Sequence, residues 1–310
     1  MTAETPQPKR PPFLVRFLPS LSQSDESTIP NIFMFMEDVS HPMPFRRSRK
    51  NSFLVQLNGT EAEQQKVMKV LDNLSEHEGY STEEKLGNAV DTLAKRITWE
   101  GRAQFELIPM DDGTTFFHDV TTKRLFRFMG FAIQYLAPKD RKFWKGAALR
   151  WAPLSSLWHI DVPHELGGRR GYLRLLSSLR KFGELGPSFL LADGWFEKRP
   201  RNFDIKEYVR FNSIFRYKIT HAWGWNCRDF STEQTTEFYN LYRSATAEKA
   251  KRIFRSHIIS QINALLVRLK INCTISVEGL PSVEDAQQMK DKLVTGELSF
   301  KDFLDARYDS

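Results

Sequence analysis

The stretch from Trp151 to Phe182, WAPLSSLWHIDVPHELGGRRGYLRLLSSLRKF, does most to limit what this chain can fold into. Leu157 to Val162 is apolar, rich in β-forming residues and flanked by Pro153 and Pro163, which predicts a strand. His164 to Gly168 reads as a turn, because Gly167 and Gly168 reach backbone angles closed to other residues. Arg169 to Phe182 then reads as a helix, with Gly183 as its stop. Tyr172, Leu175, Leu176 and Leu179 recur at spacings that share one face, and Arg170, Arg174 and Lys181 fall on the other. A strand, a diglycine turn and a basic helix suit a grip on a nucleic-acid backbone. They suit a plain packing unit equally well.

At 310 residues the chain is long enough for one large or two modest domains with a real core. Hydrophobic residues at 41% and aromatics at 13% exclude a disordered protein. The net charge of +7 points to an acidic partner, a nucleic acid or an anionic surface. The two cysteines, Cys227 and Cys273, have no Cys or His at metal-ligand spacing and read as reduced thiols of a cytoplasmic protein. No apolar run reaches the ~18 residues of a membrane span, and the first dozen residues lack the apolar core of a secretory signal.

Along the chain, residues 1–30 form a proline-rich arm, expected to be extended and disordered. Asn31 to Val39 reads as a strand or docking segment, and Arg46, Arg47, Arg49 and Lys50 as a basic loop. A strand over Phe53–Leu57 ends at the turn signal Asn58-Gly59. Two helices follow, Thr60–Glu76 and Ser81–Glu100, each opened by a capping-box pattern and the second closed by Gly101. Residues 105–162 predict short strands at Phe105–Ile108, Thr114–Val120, Leu125–Phe128 and Ala132–Leu136, with a turn at Asp112-Gly113. Their many aromatics predict a small sheet packed on those two helices. Glycines and prolines punctuate 183–204, a candidate junction or projecting loop. Beyond it come helices at Ile205–Ile219, Ser231–Ser244 and Ala247–Leu269, a β segment at Ile271–Val277, and short helices opened by Ser282 and Ser299. Lys249, Lys251, Arg252 and Arg255 crowd what reads as the first two turns of a helix, against the helix dipole. The fold class is therefore α+β: helices on a small antiparallel or mixed sheet over 31–182, then a mainly helical region with long helices over 205–310.

Catalytic signatures are missing. His164-Glu165 opens like a zinc-protease motif, but Gly168 stands where its second histidine belongs. No phosphate-binding glycine loop and no serine elbow occurs. Asp111, Asp112, Asp161 and Glu165 are the only carboxylates that suggest a nuclease, and each has a structural reading as a turn residue, cap or ion pair. His159, His221 and His257 read as hydrogen-bonded structural histidines. Trp151, Trp158, Trp223 and Trp225 read as core or interface residues more readily than as base-stacking platforms. No catalytic residue, cofactor or metal is assigned.

Order and short motifs together resemble a family. Gly101-Arg102-Ala103-Gln104-Phe105-Glu106 after a helix, His159-Ile160-Asp161-Val162-Pro163 before a glycine turn, a long helix over IFRSHIISQINALLVRL, and Gly296-Glu297-Leu298-Ser299 near the end look like the core and closing segments of tailed-phage portal proteins. The resemblance covers about residues 82–310; the chain is short for a portal, and 183–204 does not map onto the stem. It implies a non-enzymatic subunit of a closed ring at a capsid vertex, through which double-stranded DNA is packaged and ejected. Its implied partners are other copies of the chain, DNA, capsid and packaging-motor proteins, and no membrane. Its implied place is the virion, after assembly in the host cytoplasm. Arg169, Arg170, Arg174 and Lys181 are the residues that would face DNA phosphates. The alternatives from other classes are a monomeric or dimeric, sequence-independent nucleic-acid-binding protein that uses the same helix, and a metal-dependent nuclease.

The arm lacks any apolar period, so the chain should fold without residues 1–26. A truncation starting at Ile29 should melt within a few degrees of the parent by calorimetry. A fall of about 10 °C or more would make the arm part of the core.

Overall fold

A computed structural model describes residues 30–44, 53–110, 115–120, 125–136, 141, 148–185, 213–225 and 236–303. The arm up to residue 29, the Arg46–Lys50 cluster, Asp111 to Gly113, Cys227, Ser231 and most of the 183–204 segment lie outside these residues. The fold is α+β.

Its first element corrects the sequence reading. Asn31 to Val39 is not a strand; Pro30–Val39 is a helix (α1). Ile32, Phe35, Met36 and Val39 are buried at the i, i+3, i+4, i+7 spacing of one helical face. Pro30 suits the first turn, where its missing N–H would have had no helical partner. Strand β1 (Leu54–Asn58) ends where expected, yet Asn58-Gly59 makes no hairpin. β1 pairs antiparallel with β8 (Thr274–Glu278), more than 200 residues later, from Leu54↔Glu278 to Asn58↔Thr274. Helices α2 (Glu61–Leu74) and α3 (Thr82–Glu100) bury Val67, Leu71, Leu86, Leu93 and Ile97 in the main core. The Ser81 hydroxyl accepts from the Glu84 N–H at 3.2 Å, and Gly101 closes α3 with φ +70°. Thr60 stands at the cap position of α2, but its side chain makes no cap bond.

Two three-stranded antiparallel sheets follow. The first has order β3 (Thr115–Asp119), β2 (Arg102–Pro109), β7 (Leu157–Asp161). Ala103 and Phe105 of β2, with Trp158 and Ile160 of β7, face the helices; the Phe105 and Trp158 rings stack with centroids 5.7 Å apart. Arg102, Gln104 and Glu106 alternate to the far side. The second sheet, β4 (Leu125–Phe128), β5 (Phe131–Tyr135), β6 (Leu149–Pro153), packs on that far side and not on the helices.

A 3₁₀ turn at His164–Leu166, ended by Gly167 at φ +95°, leads into α4 (Gly168–Leu185). Gly183 does not stop α4, which runs on to Leu185. The two helices expected at Ser231–Ser244 and Ala247–Leu269 are one 32-residue helix, α5 (Glu237–Arg268). Ala245 and Thr246 between them contain no breaker, and Thr236 supplies the cap by accepting from the Tyr239 N–H. Lys249, Lys251, Arg252 and Arg255 therefore lie in mid-helix, beyond the reach of the N-terminal dipole. Arg252 Nη1 donates to the Ser282 carbonyl at 3.0 Å and Arg255 Nη2 to the Pro281 carbonyl at 2.5 Å. They hold the start of α6 (Val283–Thr295), whose capping box joins Ser282 and Asp285. Burial pushes the Arg255 guanidinium down to about 10.

One core joins both sides of the expected junction. Phe35, Tyr172, Trp223, Phe254, Ile262 and Ile275 belong to a single buried cluster. Trp223 and Trp225 are core residues: the Phe35 ring lies edge-on to both, and Trp225 Nε1 donates to Asp38 at 2.7 Å. Gly224, at φ +63°, lets that loop touch the backbone of α5. A Cβ there would collide with the Ala247 nitrogen and lie 2.5 Å from the Arg243 carbonyl oxygen. Gly224→Ala should cost about 2–5 kcal/mol, combining a strained φ with overpacking. Urea unfolding checks this, and a loss below about 1 kcal/mol would mean that the loop does not approach the helix as described.

Candidate functional site: a basic helix and an outward aromatic sheet

Helix α4 divides by face as its spacing predicts. Tyr172, Leu175, Leu176 and Leu179 are buried, and the Tyr172 hydroxyl donates to the Thr98 carbonyl at 2.7 Å. Arg170 and Arg174, four residues apart, are both exposed on the opposite side. Lys181 lies seven residues beyond Arg174, about two turns further along the helical backbone. Arg169 is set apart from the other three. It is half-buried against Gly101 at the foot of the helix, where a Cβ on Gly101 would meet its Cγ at 3.3 Å. One residue of helix rotation, 100°, separates it from Arg170. The expected four-cation face thus divides: Arg170 and Arg174 are exposed on the outer side, and Arg169 is half-buried at the foot of the helix.

There Arg102 grips Asp161 with two hydrogen bonds, Nε to Oδ1 at 2.5 Å and Nη2 to Oδ2 at 2.6 Å, across the Arg102↔Asp161 pair of β2 and β7. Asp161 is thereby an ion-pair partner at a strand end. Burial pushes its carboxyl up, but the Arg102 bonds and charge outweigh this and hold it below the ordinary value. His159, two residues earlier, is held below its ordinary value by burial and then by Arg102. His257 of α5 is lowered by burial as well, with Nε2 3.1 Å from the Asp161 carbonyl oxygen.

The second sheet carries the feature that the sequence reading placed the wrong way round. Its registers align Phe126, Ile133 and Trp151 in one cross-strand row, Phe128, Phe131 and Pro153 in a second, and Tyr135 beside Leu149 in a third. All three rows lie on one face. The opposite face carries Arg127, Ala132, Gln134, Arg150 and Ala152, and it is the one that meets the first sheet. Most of the aromatic face points to solvent: Leu149 is 37% exposed, Trp151 60% and Met129 at the hairpin tip 82%, while Ile133 and Tyr135 are half-buried. Phe126 and Phe128 stack at 6.3 Å, and Phe131 meets Trp151 edge-on at 6.5 Å. Alternation within Leu125-Phe126-Arg127-Phe128 signals a two-faced strand, but it does not say which face is covered.

Of the carboxylates suspected of metal chemistry, Asp111 and Asp112 lie outside the described residues. Glu165 and His164 are exposed in the 3₁₀ turn, and among the described residues no three His, Cys, Asp or Glu side chains come together as a metal site. Among the described residues no helix is long and apolar enough to cross a membrane. No protein-family model and no curated protein matches this chain.

Acid should weaken the fold through the Asp161 corner. His159 and His257 have folded values below the unfolded ~6.5, so their contribution is complete above that pH and is lost as pH falls through the folded values. Urea midpoints should therefore drop between about pH 7 and 5. The double variant His159→Gln, His257→Gln should flatten that drop; an unchanged acid slope in the variant would place its origin elsewhere.

Proposed function

We propose that this chain is the subunit of a portal-like ring, a non-enzymatic conduit for double-stranded DNA at a phage capsid vertex. The observation that carries the reading is the outward aromatic face of β4, β5 and β6. Taking ~150–250 Å² as the size of an aromatic side chain, the exposed part of this face amounts to roughly 600–700 Å². The largest apolar patch of an ordinary monomer is about 300–600 Å², and one side of a standard protein interface is about 800 Å². A face of this size and composition suits a contact between copies of the chain, and a contact repeated by rotation closes a ring. The reading also draws on the short motifs quoted for the resemblance, from Gly101–Glu106 to Gly296–Ser299. In this reading Arg170, Arg174 and Lys181 meet backbone phosphates that pass through the ring, without reading sequence. Capsid and motor proteins contact the assembled ring, which resides in the virion after assembly in the host cytoplasm.

Two variants separate assembly from DNA contact. Phe128→Glu with Trp151→Glu should convert rings to folded monomers in size-exclusion chromatography with light scattering, since central aromatic anchors typically cost 2 kcal/mol or more each. Arg170→Gln, Arg174→Gln and Lys181→Gln together should leave rings intact and lower DNA affinity equally for unrelated duplexes. The slope of log K against log salt should shrink by about one unit per lost contact. A parent protein that stays monomeric at every concentration would overturn the ring. If that monomer still binds duplex DNA through α4, the nucleic-acid-binding module takes its place.

A further inference from the structure

In a ring closed by rotation each subunit meets its neighbours through two different surfaces; a patch that meets its own copy makes a two-fold dimer and stops. If the aromatic face of the second sheet is one of those surfaces, as the ring reading has it, its counterpart lies elsewhere on the chain. Among the described residues, three ring pairs have both rings exposed. Two are on that sheet, Phe126 with Phe128 and Phe131 with Trp151. The third is Phe238 with Phe300, their centroids 6.4 Å apart and the residues 39% and 37% exposed. Phe238 also stacks on Tyr242, one turn further along α5.

The two aromatic patches belong to opposite ends of α5. Phe238 is its second residue. Arg268, its last, donates to the Leu157 carbonyl at 2.9 Å and to the Ser155 carbonyl, just past the end of β6. At 1.5 Å per residue the helix rises ~45 Å between Phe238 and Arg268. The Phe238 end rests on a satellite cluster apart from the main core, made of Leu241, Ala245, Leu293 and Phe303. Phe300 opens the helical turn 300–303, where the Ser299 hydroxyl accepts from the Asp302 N–H at 3.1 Å.

Charge divides in the same way. Residues 121–150, which hold two strands of the second sheet and enter the third, carry eight Lys or Arg and one Asp. The excess stays large with Arg150 bound to Glu106. Residues 283–303, which hold α6 and the turn after it, carry five Asp or Glu and three Lys, and Glu237 stands next to Phe238. Two copies of the basic sheet set face to face would repel, whereas the sheet and the acidic end of another copy attract.

We propose that the aromatic face of one subunit's second sheet seats on the Phe238–Phe300 patch of the next copy, with the basic segment around the sheet set against the acidic segment of α6. The contact is head-to-tail: each chain gives its sheet to one neighbour and the start of α5 to the other. Phe238 and Phe300 supply an apolar centre, and polar surface around them makes up the rest, as at most interfaces.

The test mixes two full-length chains, each blocked on one side. The sheet variant is Phe128→Glu with Trp151→Glu. The helix variant is Phe238→Lys with Phe300→Lys, which sets cations against the basic sheet. All four side chains are exposed, so both variants should melt within a few degrees of the parent. Each alone should be monomeric by size-exclusion chromatography with light scattering, under conditions where the parent forms rings. Mixed in equal amounts they should give a species with the mass of two chains, because one intact sheet and one intact α5 patch remain between them. Raising sodium chloride from ~0.1 to ~1 M, which shortens the screening length from ~10 to ~3 Å, should weaken this pair about tenfold or more. Phe238→Ser with Phe300→Ser should behave as the Lys pair does and reports even if that pair folds poorly. Helix variants that form the parent's rings, or a mixture that stays monomeric, would overturn this contact and leave the ring standing. A helix variant that pairs with itself would show the sheet meeting its own copy and would overturn the contact as well. A parent that is monomeric at every concentration would overturn the ring reading itself.

Discussion

The buried pair between Arg150 and Glu106 fixes how the two sheets sit, and the surface of the molecule follows from it. Arg150 on β6 reaches across to Glu106 on β2 with bonds of 2.8 and 2.7 Å, and both side chains are almost wholly removed from water. Such a pair is weak evidence of stability as a whole, because desolvation offsets attraction, but removing one partner strands a buried charge at about 3–5 kcal/mol. It therefore dictates which face of the second sheet turns inward. Once Arg150 faces the first sheet, period-two alternation sends Trp151 out, and cross-strand pairing carries Ile133, Phe126 and Phe131 with it. Polar and small residues meet the first sheet, and the aromatic residues meet solvent.

The helical side answers a different constraint. α5 is long enough to serve as a common wall for segments distant in sequence: it touches α3, β7, β8 and α6 as well as the Trp223-Gly224-Trp225 loop. Its buried cations act as clamps. Arg243 donates to the Tyr217 carbonyl at 3.2 Å and the Thr220 hydroxyl at 2.9 Å, which ties the tryptophan loop in place, while Arg252 and Arg255 tie α6. Part of the positive charge of the chain thus serves as structural clamps, so net charge alone overstates the surface available to an acidic partner.

Much of this was legible from local chemistry. Ser81 with Glu84, Ser282 with Asp285, and the glycines at 101 and 296 mark helix ends because capping acts within a turn. Leu125–Phe128 matched to the residue. The misreadings came where distant contacts decide. Ile32 to Met36 is an unbroken apolar run, so the helical period of Asn31 to Val39 was hidden until the core picked out one face. The separate helices expected on either side of the seam between Ser244 and Ala247 are one, because nothing at Ala245 or Thr246 interrupts the helical backbone. The two sheets could not be told apart, or oriented, from alternation, since Glu106 and Arg150 stand 44 residues apart. Arg169 and Arg170 are adjacent in sequence, yet helix rotation sends one to the sheet and leaves the other in solvent.

Function rests on the orientation of that second sheet. If the outward rows are a subunit contact, the chain is one piece of a larger surface, and the basic line of α4 acquires a direction only within the assembly. Cryo-electron microscopy of the purified full chain tests this most directly. The account predicts closed rotationally symmetric rings, with Phe128 and Trp151 buried at each subunit boundary. Rings in which those side chains remain in solvent, or a field of single subunits alone, would contradict it.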